Sequence, residues 1–401
     1  MRILWVKVGG LWPLRSGGRL RSFHIIRELS RRHRLSVLTT HGPGDDAPGL
    51  AASLPECEIH SFPHAAPKRD SARFAAALAR SWLSALPVDL WRWRVPALRA
   101  EAERRLATGD YDLCLTDFLV AAPNVPRRAP LPQVLFEHNV EHLIWRRLAE
   151  AEAGSWRRAL LEIEWRKLRR FEARACRDVG LTLAVSEVDR AALRSLSPGA
   201  RVEAIPTGVD ADYFRPADAP RAARELVFSG SLDWYPNEDG VLRFLRQVLP
   251  TIRAELPATS FTAVGRDPSP RLRDEARRAG GVRVTGTVDD VRPFVDAAAV
   301  YVAPLRVGGG TRLKLLEALA MAKPVVATSL AAEGLPLVPG EHYLRADAPS
   351  DFAGAVVSLL RDPARAAALG QAGRRLVEER HSWRQVGREV ERCLAEVAAC
   401  A

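Results

Sequence analysis

Strand-like and helix-like segments alternate along almost the whole chain, in two successive series. Short apolar runs typical of buried strands recur between segments whose apolar residues are spaced three apart, as at Leu20, Phe23 and Ile26. The strand-like runs of the first series are Ile3–Val8, Leu35–Thr39, Glu58–Phe62, Tyr111–Thr116, Gln133–Glu137, Leu181–Val185 and Val202–Ile205. Those of the second are Leu226–Gly230, Ser260–Val264, Val282–Thr285, Val300–Ala303 and Pro324–Ala327. This alternation predicts α/β domains whose parallel sheets are covered by helices on both faces.

The chain of 401 residues is too long for one ordinary core, so we expect two such domains in tandem. The alternation breaks at Pro206–Pro216, where proline and aspartate accumulate and continue to Pro220. We therefore predict a first domain over residues 1–206, a linker over 207–220 and a second domain over 221–381.

The net charge of +11 is carried mainly by arginine, with excesses in Lys68–Arg105 and in Arg146–Arg177. Both stretches contain tryptophan, namely Trp82, Trp91 and Trp93 in the first and Trp156 and Trp165 in the second. Arginine beside tryptophan on amphipathic helices fits an anionic membrane surface, and it fits a solvated helix surface equally well. No nucleic-acid recognition motif accompanies the charge, so we expect no nucleic-acid partner.

Other sequence features limit the location of the protein. No segment approaches the roughly eighteen apolar residues needed to cross a bilayer, and the first apolar run is too short and too interrupted by charge for a signal peptide. The five cysteines are scattered and show neither a disulfide framework nor metal-ligand spacing. We expect a cytoplasmic protein, peripheral at the inner face of the plasma membrane, with no metal and no resident cofactor.

A glycine turn, Gly308–Gly310, separates the fourth strand-like run of the second series from an apolar helix over Leu313–Ala322. Helix N-termini bind anions, Arg312 and Lys314 add positive charge, and Glu317 can accept hydrogen bonds from sugar hydroxyls. The spacing matches neither a dinucleotide-binding turn nor a phosphate loop, because the lysine lies inside the helix. The turn therefore predicts a nucleotide-diphosphate site. The alternative is a glycine-capped helix with a surface ion pair between Lys314 and Glu317.

A similar turn lies in the first series, where Gly17, Gly18 and Arg19 follow the first strand and open the first helix. Arg21, in the same helix, equally fits a solvated surface position. Paired α/β domains bind ligands between the carboxyl ends of their strands, and a diphosphate held there would need a turn from each domain.

Several segments together resemble glycosyltransferase family 4, whose members are retaining enzymes of the GT-B fold, with two Rossmann-like domains facing across a cleft. The matching segments are Gly309–Ala318 with Pro324–Thr328, Ile205–Asp210 with Phe214, Ser16–Gly18 and Glu137–Glu141. The segment Gly230–Asn237 resembles a branch of the family found in bacterial exopolysaccharide clusters. The resemblance covers essentially the whole chain. It implies that the first domain binds the acceptor, that the second binds the donor, and that a helix from about 382 to 401 returns to the first domain.

The resemblance also implies site residues. Glu317 would bind the ribose hydroxyls, while Arg312 and Lys314, together with Arg266, would neutralise the diphosphate. His138 would contact the donor sugar or diphosphate, and its alternative role is a bond to neighbouring backbone. The catalytic candidates are His138, Arg312 and Lys314. The remaining donor-binding candidates are Gly17, Gly18, Arg19, Ser231, Val288, Gly309, Gly310 and Thr311. The acceptor candidates are Glu137, Asn139 and Glu141.

The chain departs from the family pattern at two places. The family has two glutamates eight positions apart, and Gly309 stands where the first would precede Glu317. The family's arginine and lysine after the first strand of the second domain are also missing, and Ser231 stands there instead. An Asp-x-Asp at Asp210 and Asp212 lies in the expected linker, where a turn or capping role fits better than metal binding.

The implied function is metal-independent transfer of a sugar from a nucleotide-diphosphate sugar, with retention of configuration. The acceptor would be a glycan, a lipid-linked sugar or a small molecule, in surface polysaccharide or glycolipid biosynthesis. Two alternatives of the same fold are a catalytically degenerate protein that binds nucleotide sugars, prompted by Gly309, and a nucleotide-sugar epimerase.

Overall fold

A computed structural model describes residues 1–14, 16–67, 71–127, 129–152, 154–217, 224–307 and 313–399. The chain divides into two compact α/β units. Unit one comprises Met1–Pro206 and Val386–Ala401, and unit two comprises Thr207–Gln385. Residues 207–217 of the expected linker lie with unit two, where Val209 is buried and forms an isolated bridge with Ser382.

Unit one contains a seven-stranded sheet in which every pair of neighbours is parallel. Its strands are β1 (Arg2–Lys7), β2 (Arg34–His41), β3 (Glu58–Pro63), β4 (Leu113–Asp117), β5 (Gln133–Phe136), β6 (Leu181–Ala184) and β7 (Val202–Ala204). They are ordered β3-β2-β1-β4-β5-β6-β7. The helices are α1 (Gly17–Ser30), α2 (Ala47–Ser53), α3 (Ala72–Trp82), α4 (Val88–Trp91), α5 (Pro96–Leu106), a 3-10 helix (Leu119–Asn124), α6 (Glu141–Ala151), α7 (Ser155–Asp178) and α8 (Glu187–Leu196).

Unit two contains a six-stranded sheet that is also parallel throughout. Its strands are β8 (Glu225–Ser229), β9 (Ser260–Val264), β10 (Val282–Val284), β11 (Val300–Ala303), β12 (Val325–Ala327) and β13 (Leu344–Arg345), ordered β10-β9-β8-β11-β12-β13. The helices are α9 (Tyr235–Arg243), a π-helix (Phe244–Val248), α10 (Leu249–Glu255), α11 (Pro270–Ala279), α12 (Arg292–Ala297), α13 (Leu313–Ala320), α14 (Pro349–Arg361), α15 (Pro363–Leu376) and a π-helix (Val377–His381). The last helix, α16 (Trp383–Ala399), begins in unit two and belongs to unit one from Val386 onward.

The helix starts follow local capping chemistry. Ser16, Ser186 and Ser269 stand at the N-caps of α1, α8 and α11, and each side chain accepts a hydrogen bond from the backbone N–H three residues on. The central strands are buried, as β4 and β11 show at every position. Because both faces of a parallel sheet are covered, such strands need no alternation of polar and apolar residues.

The prediction of two parallel α/β domains is confirmed, and each of the predicted strand-like runs contains a strand. β13 was not predicted, because it is two residues long and Arg345 is exposed, so it carries no apolar run. None of the described helices is both long enough and apolar enough to span a membrane.

Candidate active site

Each sheet has one pair of neighbouring strands at which the strand order reverses. The pair is β1 and β4 in unit one, and β8 and β11 in unit two. Open α/β sheets bind ligands outside the carboxyl ends of the strands at such a switch point. Lys7 and Asp117 end β1 and β4 and are register partners. Gly230 follows β8, and Lys314 lies in the helix that follows β11.

The unit-one cluster consists of Lys7, Arg21, Asp117, Phe118 and His138. At its centre, the fully buried Asp117 accepts hydrogen bonds from Trp5 Nε1 at 3.0 Å and from His138 Nε2 at 2.8 Å. The Lys7 ammonium lies 3.5 Å from Asp117 Oδ2. Burial alone would raise the pKa of Asp117, but the charge of Lys7 and the hydrogen bond from His138 lower it to about 2. The carboxylate is therefore ionised and holds Lys7 in a buried ion pair.

His138 is buried with both ring nitrogens engaged by side chains. Its Nε2 donates to Asp117, and its Nδ1 accepts from Arg21 Nη1 at 3.4 Å, which assigns the neutral tautomer protonated at Nε2. Burial lowers the pKa of His138 to about 3, although Asp117 opposes the shift. The alternative of a histidine bonded to neighbouring backbone is wrong for these two contacts. A neutral His138 cannot act as a cation toward a diphosphate, so its polar contacts are its contribution to the site.

Phe118 locks this histidine in place. The two rings stack with centroids 3.7 Å apart and planes 16° apart, and the Lys7 ammonium lies 4.0 Å from the Phe118 centroid. The φ angle of Phe118 is 73°, a left-handed conformation that costs a non-glycine residue about 1–3 kcal/mol. A Cβ on Gly18 would lie 2.5 Å from Phe118 Cζ. Glycine is therefore required at position 18 so that the start of α1 can approach this ring.

The other predicted residues of this turn are placed differently. Gly17 begins α1, as expected. The Arg19 guanidinium donates to Asp45 Oδ1 at 2.6 Å and to the carbonyl of Gly9 at 2.8 Å, so it braces the loop after β1. Arg21 is buried, and burial lowers its pKa to about 10. Of the two alternatives that the sequence left open for Arg21, the solvated surface position is wrong.

The acceptor candidates lie around the start of α6, which Glu172 of α7 organises. Glu172 accepts from the backbone N–H groups of Glu141 and His142 at 2.7 and 3.0 Å, and from His142 Nδ1 at 2.6 Å. Burial and the Glu172 charge raise the pKa of Glu141 to about 7. Asn139 Nδ2 approaches Glu141 Oε1 at 3.5 Å. The Asn139 and Glu141 side chains therefore form a weakly bonded pair at the carboxyl edge of the sheet.

Glu137 lies inside unit one. It is 1% exposed, and neither carboxyl oxygen has a hydrogen-bond partner of good geometry within the described chain, although the Leu119 backbone N–H slightly favours its charged form. Burial and the neighbouring carboxylates of Glu172 and Glu141 raise its pKa well above the ordinary value. Of the three acceptor candidates, Glu137 is therefore the one whose side chain is buried, with a raised pKa.

The unit-two cluster consists of Gly230, Asn237, Lys314 and Glu317. The Lys314 ammonium donates to Asn237 Oδ1, and Asn237 Nδ2 donates to the carbonyl of Ser231 at 2.8 Å. A Cβ on Gly230 would lie 2.9 Å from Lys314 Nζ and 3.0 Å from Asn237 Nδ2. The glycine after β8 thus leaves room for a lysine that reaches across from α13. This contact places a cation at the switch point of unit two.

Glu317 lies one helical turn after Lys314 and is partly buried. Burial raises its pKa to about 7, and the charge of Lys314 opposes the shift. The carboxyl therefore changes ionisation state near neutral pH, where it changes from a hydrogen-bond donor into an acceptor-only group.

The remaining described candidates of unit two are Arg266 and Val288. Arg266 follows Gly265 at the end of β9, and its Nε lies 3.5 Å from Asp233 Oδ1 with 57% of its side chain exposed. Val288 is partly buried against the unit-two core. Trp234 and Tyr235 are 59% and 63% exposed, so they do not pack into the core.

Gly309, Gly310, Thr311 and Arg312 lie outside the described residues. Asp210 Oδ1 accepts from the Tyr213 backbone N–H at 3.0 Å, which is a turn contact. In the part of the chain that the structure describes, no group of three or more His, Cys, Asp and Glu side chains could hold a metal ion.

Only His138, Lys314 and Glu317 of the nine residues in the two clusters were among the site residues predicted from sequence. Lys7 and Asp117 carried a visible signal, since each is a charged residue at the end of a buried strand. Phe118 and Asn237 carried none, because an aromatic residue and an amide acquire their roles only through contacts with His138 and Lys314.

Two family models match the chain. The model "Glycosyltransferase Family 4" matches residues 15–213, and the model "Glycosyl transferases group 1" matches residues 223–362. Among characterised proteins, the phosphatidyl-myo-inositol mannosyltransferase of Mycolicibacterium smegmatis is 28% identical over 76% of this chain and 76% of its own length. The GDP-mannose-dependent alpha-(1-6)-phosphatidylinositol monomannoside mannosyltransferase of the same organism is 30% identical over 52% of this chain and 60% of its own length.

Solved structures are similar over almost the whole chain. The sucrose-phosphate synthase of Thermosynechococcus elongatus superposes with a TM-score of 0.69 at 15% identity, covering 99% of this chain and 100% of that one. Anabaena HepE in complex with UDP and glucose gives a TM-score of 0.65 at 15% identity, covering 98% and 99%. WaaG, a glycosyltransferase involved in lipopolysaccharide biosynthesis, gives 0.63 at 15% identity, also covering 98% and 99%.

Proposed function

Since this chain is a GT-B glycosyltransferase that belongs to glycosyltransferase family 4, we propose that it transfers a sugar from a nucleotide-diphosphate sugar to a glycolipid or lipid-linked acceptor. The observation that carries the proposal is the contact between Lys314 and Asn237 beside Gly230. It holds an ammonium at the switch point where open sheets bind nucleotides. This chain lacks the arginine and lysine that the family has after β8, and Lys314 of α13 supplies a cation beside Gly230.

We propose that the reaction retains configuration and needs no metal ion. The acceptor hydroxyl oxygen bonds to the anomeric carbon on the face from which the diphosphate departs. The bond from that carbon to the phosphate oxygen breaks, and the hydroxyl proton passes to the departing diphosphate. Lys314 and Arg312 would stabilise the negative charge that develops on the leaving group, which is the largest single contribution in many such reactions. Activity that survives a chelator would support the proposal that side-chain cations, and not a metal ion, stabilise the leaving group.

Mannose is the donor sugar that the relatives favour. One relative is named as GDP-mannose-dependent, and both named mannosyltransferases act on phosphatidylinositol compounds. We propose a GDP-linked hexose as the first donor to test, with UDP-glucose as the comparison. The acceptor would be bound by unit one, where Asn139 and Glu141 lie at the carboxyl edge of the sheet.

A donor panel with product analysis tests this function. We expect one nucleotide sugar to be consumed only when a glycolipid acceptor is present, with the free nucleoside diphosphate and a sugar of unchanged anomeric configuration as products. Conversion of the donor to an isomer without an acceptor would favour the epimerase. Calorimetric binding of a nucleoside diphosphate without turnover of any donor would favour the degenerate binding protein.

Glu317 should make nucleotide affinity depend on pH. Because its pKa is about 7 in the folded protein, the carboxylate that accepts ribose hydroxyls forms as the pH rises through that value. We expect wild-type affinity for the nucleoside diphosphate to increase between pH 6 and pH 8, measured by calorimetry, relative to Glu317→Gln. Since charge-assisted hydrogen bonds are worth about 1.5–3 kcal/mol, the variant should bind at least about tenfold more weakly at pH 8.

Glu317→Gln also controls for titration of the ligand phosphates, because that titration changes the affinity of both proteins in the same way. Parallel pH profiles of the wild type and Glu317→Gln would contradict the ribose assignment.

We also propose that unit one rests on an anionic membrane surface. Its α6 and α7 pack against each other and expose Ile144, Leu148, Trp156 and Ile163, between 39% and 65% of each side chain. The exposed Arg157 stands beside Trp156, with its guanidinium 5.3 Å from the indole centroid. Apolar side chains flanked by arginine are typical of helices that lie in the headgroup region.

Trp156→Ala should weaken binding to vesicles that contain phosphatidylglycerol by about tenfold, because burying a large apolar side chain contributes ~1.5–3 kcal/mol. Co-sedimentation measures it. Trp234→Ala is the matched control, since this tryptophan of unit two is 59% exposed against 65% for Trp156. Equal losses in both variants, or wild-type binding that is as strong to neutral vesicles, would contradict the proposed surface.

A further inference from the structure

A cavity of about 400 Å³ lies in unit one, apart from the unit-one cluster. Its volume falls within the range of about 300–1,000 Å³ that small-molecule sites occupy. One wall is the sheet face where Thr116 of β4 and Leu135 of β5 are register partners. Gln133, the first residue of β5, also lines the cavity, and it precedes His138 by roughly 16 Å along an extended strand. The cavity therefore lies against this face of the sheet and extends to the amino end of β5, and no residue of the unit-one cluster lines it.

The walls of this cavity are mainly apolar and its remaining lining is cationic. The apolar side chains that form the walls are Leu86, Trp91, Val125, Leu135 and Phe171. The cations that line it are Arg94, Arg127, Lys167, Arg170 and Arg174, and the single acid is Asp178. Because five cations face one carboxylate, the lining carries a net positive charge.

Three of these cations already have partners. Arg127 Nη2 pairs with Asp178 Oδ2 at 2.6 Å, and Lys167 Nζ donates to the carbonyl of Ser81 at 2.8 Å. The Arg94 guanidinium lies 4.6 Å from the Trp91 centroid. Arg170 and Arg174 are exposed, and among the described residues neither makes an ion pair or hydrogen bond. Lys167, Arg170 and Arg174 are spaced three and four apart, so they lie on one side of α7.

The two stretches rich in arginine and tryptophan meet at this cavity. Residues 84–94 come from the first stretch and residues 167–175 from the second. Arg94, Arg170 and Arg174 of these stretches line the cavity, and the proposed transfer reaction does not use them. A hydrophilic anion would leave the apolar walls without a role, and a neutral apolar ligand would do the same for the arginines.

We propose that this cavity binds a single-chain anionic amphiphile, with its alkyl chain between Leu135 and Phe171 and its phosphate-like head group on Arg170 and Arg174. None of the acceptor candidates Glu137, Asn139 and Glu141 lines the cavity, so the proposed occupant is a ligand separate from the sugar acceptor. The inference does not depend on the proposed transfer reaction. The site would allow unit one to hold one lipid molecule whether or not a donor is bound.

Calorimetry with decyl phosphate, below its micellar concentration, tests the site. We expect saturable binding of one molecule per chain, weakened about tenfold or more in the double variant Arg170→Ala/Arg174→Ala. The matched control is Arg169→Ala/Arg177→Ala, which removes the same charge from exposed positions of α7 that do not line the cavity, and it should retain wild-type affinity. Equal weakening in both double variants would mean non-specific charge attraction and would overturn the proposal.

Ala175→Phe, which fills the cavity, should abolish decyl phosphate binding without changing the charge. Inorganic phosphate and decanol should each bind at least tenfold more weakly than decyl phosphate. If inorganic phosphate binds as tightly, the site is a plain phosphate site and the amphiphile is excluded. Trp156→Ala should leave this binding unchanged although it weakens vesicle binding, and a parallel loss would reduce the result to the membrane surface already proposed. The arginine variants change only exposed residues, so the test holds even if Ala175→Phe does not fold.

Discussion

Lys314→Ala should lower the turnover of sugar transfer by about 10²–10³-fold while leaving the protein folded. Removal of one preorganised group that stabilises developing charge has this effect in other enzymes. In this chain the ammonium is held at the switch point by Asn237 and has room there because position 230 is glycine. Steady-state rates with saturating donor and acceptor measure the loss, and thermal unfolding measures whether the fold is retained.

Two further variants make the Lys314 result specific. Arg365→Ala removes an exposed cation of α15 in the same unit and should keep wild-type turnover. Asn237→Ala should lower turnover less than Lys314→Ala, and the double variant should be no slower than Lys314→Ala alone, because Asn237 acts by positioning the lysine. Wild-type turnover in Lys314→Ala, or additive effects of the two substitutions, would remove Lys314 and Asn237 from the charge-stabilising role.

Asp117→Ala should destabilise the protein by about 3–5 kcal/mol, the typical cost of removing one partner of a buried ion pair. The substitution leaves the Lys7 ammonium buried without its carboxylate, and it also leaves the donors Trp5 Nε1 and His138 Nε2 without their acceptor. Urea unfolding measures the change. Asp110→Ala is the control, because Asp110 forms an exposed pair with Arg2 and should cost at most about 1 kcal/mol.

The charge of Lys7 can be separated from packing at Asp117. Because a buried cation without a partner is the main penalty, adding Lys7→Met to Asp117→Ala should recover part of the lost stability. Further destabilisation by Lys7→Met would show that the ion pair is not the source.

The pH dependence of stability has a defined sign, because the pKa of Asp117 is lowered from 3.8 to about 2 in the folded protein. The contribution of Asp117 to stability is therefore complete above pH 3.8 and is lost as the pH falls toward 2.

Some residues of the two clusters could be named from the sequence. Lys314, Glu317 and the segment around His138 follow strands that their own apolar runs reveal, so their place after a strand end was predictable. The matches to the family models over residues 15–213 and 223–362 confirm the family that these segments indicated. Sequence reasoning left the environment of Arg21 open, because helix periodicity does not reveal that a charged residue contacts His138 across 117 positions.

The sequence alone determined the two α/β series, their strands and the residues at the strand ends, since an apolar run and a capping residue act on their own neighbours. Only the tertiary structure decided the roles of these residues. The same strands could be arranged in several orders, and the observed order sets β1 beside β4 and β8 beside β11. That order brings Asp117 to Lys7, and the packing of α13 brings Lys314 to Asn237. Contacts between residues so far apart depend on how whole elements pack, and local sequence patterns do not record that packing.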